Sequence, residues 1–235
     1  CGVTCYCCEE HQEMDWRGIH EKICLLLPPL RSPAPVIGSE HERDLRQQTL
    51  QTSRRALIDL TRNEASKFLV AGQFELAIPG ALQALRFSLD VHGEGAVEIV
   101  PAYLLLAEAN LGLGRYRQAE EFLSMANWSV LKNPDCSNAL RSKLHRNFGK
   151  LYASQGRFDK ALKQLANDVF YSSVEIGPEH IDTAGGYYHM ATIFFSRNEL
   201  NHALAFYDKV VDIWYKFLVG VRHGTEDIEG VSEAA

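Results

Sequence analysis

Across residues 45–219 apolar side chains recur at helical spacing, and the pattern breaks at a fixed interval. Four segments align on a helix-breaking residue: Gly72-Gln-Phe74-Glu-Leu-Ala77, Gly114-Arg-Tyr116-Arg-Gln-Ala119, Gly156-Arg-Phe158-Asp-Lys-Ala161 and Asn198-Glu-Leu200-Asn-His-Ala203. Each lies 42 residues from the next. The breaker is Gly three times and Asn once, the residues that best tolerate the left-handed conformation that ends a helix. The pattern predicts helices that break near residues 72, 114, 156 and 198 and fold back as antiparallel pairs.

The upstream helix of each pair repeats in the same frame. Small residues stand at Ala65, Ala107, Gly149 and Ala191, seven before each breaker. Bulky residues recur beside them, at Phe68, Tyr152 and Phe194 in one register and at Leu106, Phe148 and Met190 in another. Small residues facing Ala77, Ala119, Ala161 and Ala203 let two helices approach closely, while the aromatics fill the remaining space. One pair alone cannot bury its apolar face, so the expectation is an all-α stack of four 42-residue helix pairs wound into a right-handed superhelix. Three positions depart from the pattern. Pro79 should bend the second helix of the first pair, and Asp168 and Val210 occupy slots where a small residue is expected, which suggests looser packing there.

A small residue followed by G-x-[F/Y]-x-x-A resembles the tetratricopeptide repeat, and the 42-residue spacing resembles its long-helix variant, as in kinesin light chains. The stretch Gly177-Pro-Glu-His-Ile-Asp-Thr-Ala184 is similar to that variant as well. The resemblance implies a concave surface lined by the first helix of each pair, with Arg62, Asn63 and Ser66, then Leu104, Leu105 and Glu108, then Arg146, Asn147 and Lys150, then Tyr188, His189 and Thr192 facing a bound peptide or helix. Asn63 and Asn147 carry amides suited to an extended backbone. Arg146 and Asn147 are expected to face outward, so that replacing both with Ala leaves the fold intact.

Composition narrows the function. Apolar residues make up 46% and charged residues 23% of the 235, as in an ordinary globular protein. The formal charge of -6 argues against a general affinity for nucleic acid, and no apolar run is long enough to span a bilayer. No P-loop, G-x-S-x-G elbow or H-E-x-x-H is present, so no enzymatic activity is expected.

Five of the six cysteines, Cys1, Cys5, Cys7, Cys8 and Cys24, fall in the first 24 residues, with His11 and His20 among them. Histidine serves zinc but no disulfide, which favours a metal site and a reducing compartment. The run Tyr6-Cys7, His11-Gln12, Asp15-Trp16, His20-x3-Cys24 resembles the second half of a MYND zinc finger. That resemblance assigns Cys7 and His11 to one zinc and Cys1, His20 and Cys24 to another, with Trp16 as a packing residue. His11 stands where the family has cysteine, and the gap before His20 is one residue longer than usual. Cys5 and Cys8 are spare in this register. The chain begins at Cys1 rather than Met, and the first ligands of the finger are expected upstream of it.

The implied organisation is the closing half of a zinc finger at 1–24, a stiff proline-rich linker at 25–44 that is extended rather than helical, a repeat domain at 45–219 whose first helix starts near Arg43, and a frayed tail at 220–235. The combination, with Ile19-His-Glu-Lys-Ile-Cys24, Leu85-Arg-Phe87, Val100-Pro-Ala-Tyr103 and Leu165-Ala-Asn-Asp168, is similar to the zinc finger MYND domain-containing protein 12 family. The resemblance implies a non-catalytic scaffold of the cytoplasm and of the axoneme of cilia and flagella. It implies association with inner-arm dynein components and partnership with another tetratricopeptide-repeat protein. Two alternatives remain open: a nuclear co-repressor adaptor, and a fragment of a SET-MYND lysine methyltransferase, although no N-H-x-C motif is present.

Overall fold

The computed structural model of the chain describes residues 4–31 and 39–224, and every regular element among them is helical. In chain order these are α1 (Glu9–Asp15), a π turn (Trp16–His20), α2 (Glu21–Ile23), α3 (Pro28–Arg31), α4 (Glu40–Val70), α5 (Phe74–His92), a 3-10 turn (Val97–Ile99), α6 (Val100–Gly112), α7 (Tyr116–Lys132), α8 (Asn138–Ser154), α9 (Phe158–Ile176), α10 (Ile181–Ser196) and α11 (Leu200–Arg222). The architecture is all-α and compatible with a helical repeat. It forms two compact units, one ending at Gly114 and the other beginning at Arg115.

The breaks fall where the 42-residue period predicts them. Gly72, Gly114 and Gly156 have φ of 70°, 70° and 72°, and Asn198 has φ of 61°, the one non-glycine residue at positive φ among the described residues. At three of them the helix closes with a six-to-one hydrogen bond: Gln73 N–H to Phe68 O, Arg157 N–H to Tyr152 O and Glu199 N–H to Phe194 O, at 2.8, 2.8 and 2.9 Å. This is the Schellman closure, which needs a residue in the left-handed region just past the helix end and satisfies carbonyls that would otherwise be orphaned. The recurring aromatics therefore sit on the residues whose carbonyls accept the closing bond.

The small-residue registers are buried throughout. Ala65, Ala107 and Ala191 are fully buried, as are Ala77, Ala119 and Ala161, with Ala203 nearly so. A Cβ on Gly149 would lie 2.6 Å from Leu165 Cδ2, so α8 and α9 cross closely at that point and a larger residue would have to displace the Leu165 side chain. Ser137 caps α8 by accepting from the Leu140 N–H at 3.3 Å, and Ser39 and Glu42 form a reciprocal capping box that opens α4. The box starts the helix at Glu40, slightly ahead of the expected Arg43.

In the first unit the amino-terminal segment is built into the repeat core instead of standing apart from it. Ile19, Ile23 and Leu27 join Leu57 and Ile58 of α4 and Phe87 of α5 in one buried cluster. Lys22 pairs with the buried Glu64 of α4, which Lys67 also contacts at 2.9 Å. Burial raises the Glu64 pKa, but its hydrogen bonds to Lys22 and Lys67 outweigh that and hold the carboxyl below its ordinary value. Helices as short as α1 to α3 do not persist alone in water. Burying each large aliphatic side chain contributes roughly 1.5–3 kcal/mol, which accounts for their order.

Two expectations need correction here. The stretch from Pro28 to Arg31 is a helical turn, not extended chain. Proline is tolerated in the first turn of a helix because its missing N–H has no intrahelical role there; the remainder of the expected linker, residues 32–38, lies outside the described residues. At the other end α11 continues through Gly220 to Arg222, past the point where the apolar pattern fades. Residues 225–235 of the expected tail lie outside the described residues.

Candidate functional site

Cys8 is the N-cap of α1, and this places Cys7, Cys8 and His11 on one edge of the helix start. Cys7 Sγ lies 2.9 Å from His11 Nδ1 and 4.0 Å from Cys8 Sγ. The donor atoms of all three lie within 4.8 Å of one another, and all three residues are exposed. Two thiols and an imidazole at this spacing suit the soft-donor, tetrahedral preference of zinc, though they are one ligand short of a closed structural site. Cys7 and His11, the two residues expected to share one zinc, are neighbours here. Cys8, read as spare, is the third member of the group, and the adjacency of two cysteines at a helix start is the signal in the sequence for it.

Of the second expected set, Cys1, His20 and Cys24, only the last two fall among the described residues. Cys1 lies outside the described residues, and neither His20 nor Cys24 joins a group of three donors among the described residues. His20 is buried, with Nδ1 3.4 Å from the Asp15 carboxylate and its ring 5.8 Å from that of Trp16. Tyr6 donates to the same Asp15 oxygen at 2.5 Å, and burial together with this hydrogen bond pushes the phenol pKa up. This cluster ties the first described residues to the π turn. Trp16 remains half exposed while stacking at a tilt on His20.

The residues expected to line a concave surface divide by environment. In the first unit Asn63 is exposed, and Arg62, Leu105 and Glu108 are partly exposed. In the second, Lys150 and His189 are partly exposed, whereas Arg146 and Asn147 are buried. The expectation that Arg146 and Asn147 face outward is therefore corrected. Asn147 donates to Lys143 O at 3.1 Å, and its Oδ1 is sealed from solvent without a protein partner. Arg146 donates from Nε to Asp168 Oδ2 at 2.9 Å and from Nη2 to Asp182 O at 2.6 Å.

Asp168 explains why. Its carboxylate is fully buried and also accepts from Ser142 Oγ at 2.5 Å. The slot that reads as loose packing is an ionic clamp that joins α8, α9 and α10. Glycines make room for it: a Cβ on Gly185 would lie 2.9 Å from Arg146 Nη1, and one on Gly186 would lie 2.8 Å from Asp168 Oδ2. A charged residue at a position that is otherwise small in the repeat was the visible signal, since burying a carboxylate demands a partner. His189 lies near this clamp. Burial and the positive charges of Lys150 and Arg146 lower its pKa to about 3, so the imidazole is neutral at physiological pH.

Among the described residues, no helix is long and apolar enough to cross a membrane. The fold and its sites thus describe an all-helical protein compatible with a repeat architecture and carrying an exposed cluster of metal-type donors near its start. No known family model matches the chain.

Proposed function

We propose that this chain is a non-catalytic scaffold of four tetratricopeptide-type helix pairs that binds other proteins through its repeat surface. The observation that supports the reading is the recurrence, at 42-residue intervals, of a left-handed helix break preceded and followed by buried small residues. Such a repeat spends its sequence on helix crossings and presents broad surfaces to partners. The partner class suggested by family resemblance is another tetratricopeptide-repeat protein within an inner-arm dynein assembly of the ciliary or flagellar axoneme. On the same reading the amino-terminal segment descends from a MYND-type finger, and Cys7, Cys8 and His11 are the residues that would hold zinc in the described part.

Expression of the tagged chain in ciliated cells, with proximity labelling, tests the proposal. Enrichment along the axoneme with labelling of dynein components supports it. Nuclear accumulation with no axonemal labelling would replace it with the co-repressor reading.

A further inference from the structure

Every cysteine among the described residues is a free thiol, and at one place two of them meet. Cys7 Sγ lies 4.0 Å from Cys8 Sγ. The chain itself sets this proximity, because the two residues are neighbours in sequence. The Cys7 sulfur also contacts His11 Nδ1 at 2.9 Å. Cys8 is the N-cap of α1, yet its side chain makes no capping bond. The family resemblance gives Cys7 and His11 to one zinc and has no place for Cys8. A second thiol beside a metal ligand has a chemistry of its own, since a pair of sulfurs in reach of one another can be oxidised by two electrons.

We infer that Cys7 and Cys8 form a redox modification site, at which a hydroperoxide converts the two thiols into a disulfide between adjacent residues. In the first step a peroxide oxygen is transferred to one sulfur, giving a sulfenic acid and a molecule of water. The other sulfur then attacks the sulfenic sulfur, forms the S–S bond and expels the hydroxyl, which leaves as a second water with the remaining thiol proton. The peroxide gains two electrons and the sulfur pair loses two. One consequence rests on the metal reading above: the disulfide removes two of the three donors clustered among the described residues, so oxidation releases the ion. In the metal-loaded chain the two protons come from solvent, and the divalent ion departs in their place.

The bond is a reversible one. Adjacent Cα atoms lie about 3.8 Å apart across a trans peptide, short of the roughly 4.4 Å at which the usual disulfide span begins. The ring that joins neighbouring residues is therefore strained, and a thiol of the glutathione class reopens it. In a reducing compartment such a bond is a transient signal and not a structural link.

Treating the metal-free full chain with hydrogen peroxide, then alkylating and mapping its tryptic peptides, reads the site directly. The peptide that ends at Arg17 should lose two hydrogens and take up label at Cys1 and Cys5 but not at Cys7 or Cys8, and glutathione should restore both thiols. In a Cys5→Ser background, adding Cys8→Ser should raise dimedone trapping of Cys7 several-fold, because no neighbouring sulfur remains to condense with its sulfenic acid. Serine at this position is a good helix cap, so α1 should persist in the variant. A bond from Cys7 to Cys1, Cys5 or Cys24, a disulfide between two chains, oxidation straight to sulfinic acid, or equal dimedone trapping with and without Cys8 overturns the inference. In the cobalt-loaded chain, peroxide should bleach the thiolate-to-cobalt absorption in step with formation of the disulfide. A Cys7–Cys8 disulfide in a chain that binds no cobalt leaves the inference standing while the metal reading fails. Cobalt binding by a chain whose metal-free thiols resist peroxide overturns the inference and leaves the metal reading in place.

Discussion

Arg146 and Asp168, 22 positions apart in the chain, meet in the interior of the second unit with Nε 2.9 Å from Oδ2, the carboxylate fully buried and the guanidinium nearly so. The pair joins α8 to α9, and the Arg146 bond to Asp182 O reaches α10. Arg146→Ala leaves a desolvated carboxylate facing only Ser142 and should destabilise the protein by about 3–5 kcal/mol. The double substitution Arg146→Met with Asp168→Leu, which removes both charges, should recover most of that loss. Urea denaturation midpoints decide the matter; a single Arg146→Ala variant as stable as the parent would show that water reaches the carboxylate.

At the Gly149–Leu165 crossing two effects oppose each other. Alanine in mid-helix gains about 1 kcal/mol over glycine in helix propensity. The added Cβ, however, would stand 2.6 Å from both Leu165 Cγ and Cδ2, and Leu165 is fully buried with little space to yield. Overpacking costs typically ~1–3 kcal/mol, so Gly149→Ala should be net destabilising, and Ala107→Leu, at the equivalent buried position, more clearly so. A raised thermal midpoint for Gly149→Ala would mean the crossing is looser than the distances indicate.

Gly18 sets the approach of the amino-terminal segment to α5. A Cβ there would lie 2.8 Å from the Leu76 carbonyl oxygen and 3.0 Å from Pro79 Cγ. The first obstacle is backbone and cannot swing aside. Gly18→Ala should loosen the segment from α4 and α5, seen as faster limited proteolysis before residue 31 and faster amide exchange at Leu57 and Ile58. Unaltered cleavage and exchange would count against the docking described here.

His189 makes stability depend on pH. Its folded pKa of about 3 lies below the unfolded value of about 6.5, so folding favours the neutral ring. The corresponding stabilisation is complete above the unfolded pKa and is lost as pH falls from there toward 3, at up to about 1.4 kcal/mol per pH unit. His189→Gln should flatten that part of the stability profile. An imidazole proton resonance for His189 that titrates near pH 6.5 in the folded protein would refute the assignment.

Cobalt titration tests the donors at the start of α1. Thiolate-to-cobalt absorption should appear with the intact chain and fall in Cys7→Ser, Cys8→Ser and His11→Ala, because each removes one of the three donors clustered among the described residues. Signal that persists in the Cys7→Ser, Cys8→Ser double variant and disappears in Cys24→Ser would assign the metal instead to the second set implied by family resemblance, Cys1, His20 and Cys24.

Local and repeating features were legible in the chain alone. A left-handed helix end needs Gly or Asn, a close crossing needs Ala or Gly, and both needs recur with the period, so the positions of Gly72, Gly114, Gly156 and Asn198 and the burial of the small residues follow from residue type and spacing. The partners of polar groups did not follow, because they are chosen across helices. Periodicity places Arg146 and Asn147 on a helix but cannot show that Asp168, arriving from the next helix, draws the guanidinium inward, or that glycines 185 and 186 make room for it. Nor could periodicity show Ile19, Ile23 and Leu27 sharing a core with Leu57 and Phe87, since burial of an apolar face is decided by which surface it meets. Tertiary structure alone decided those contacts, because they depend on the distance between groups that the chain order leaves far apart.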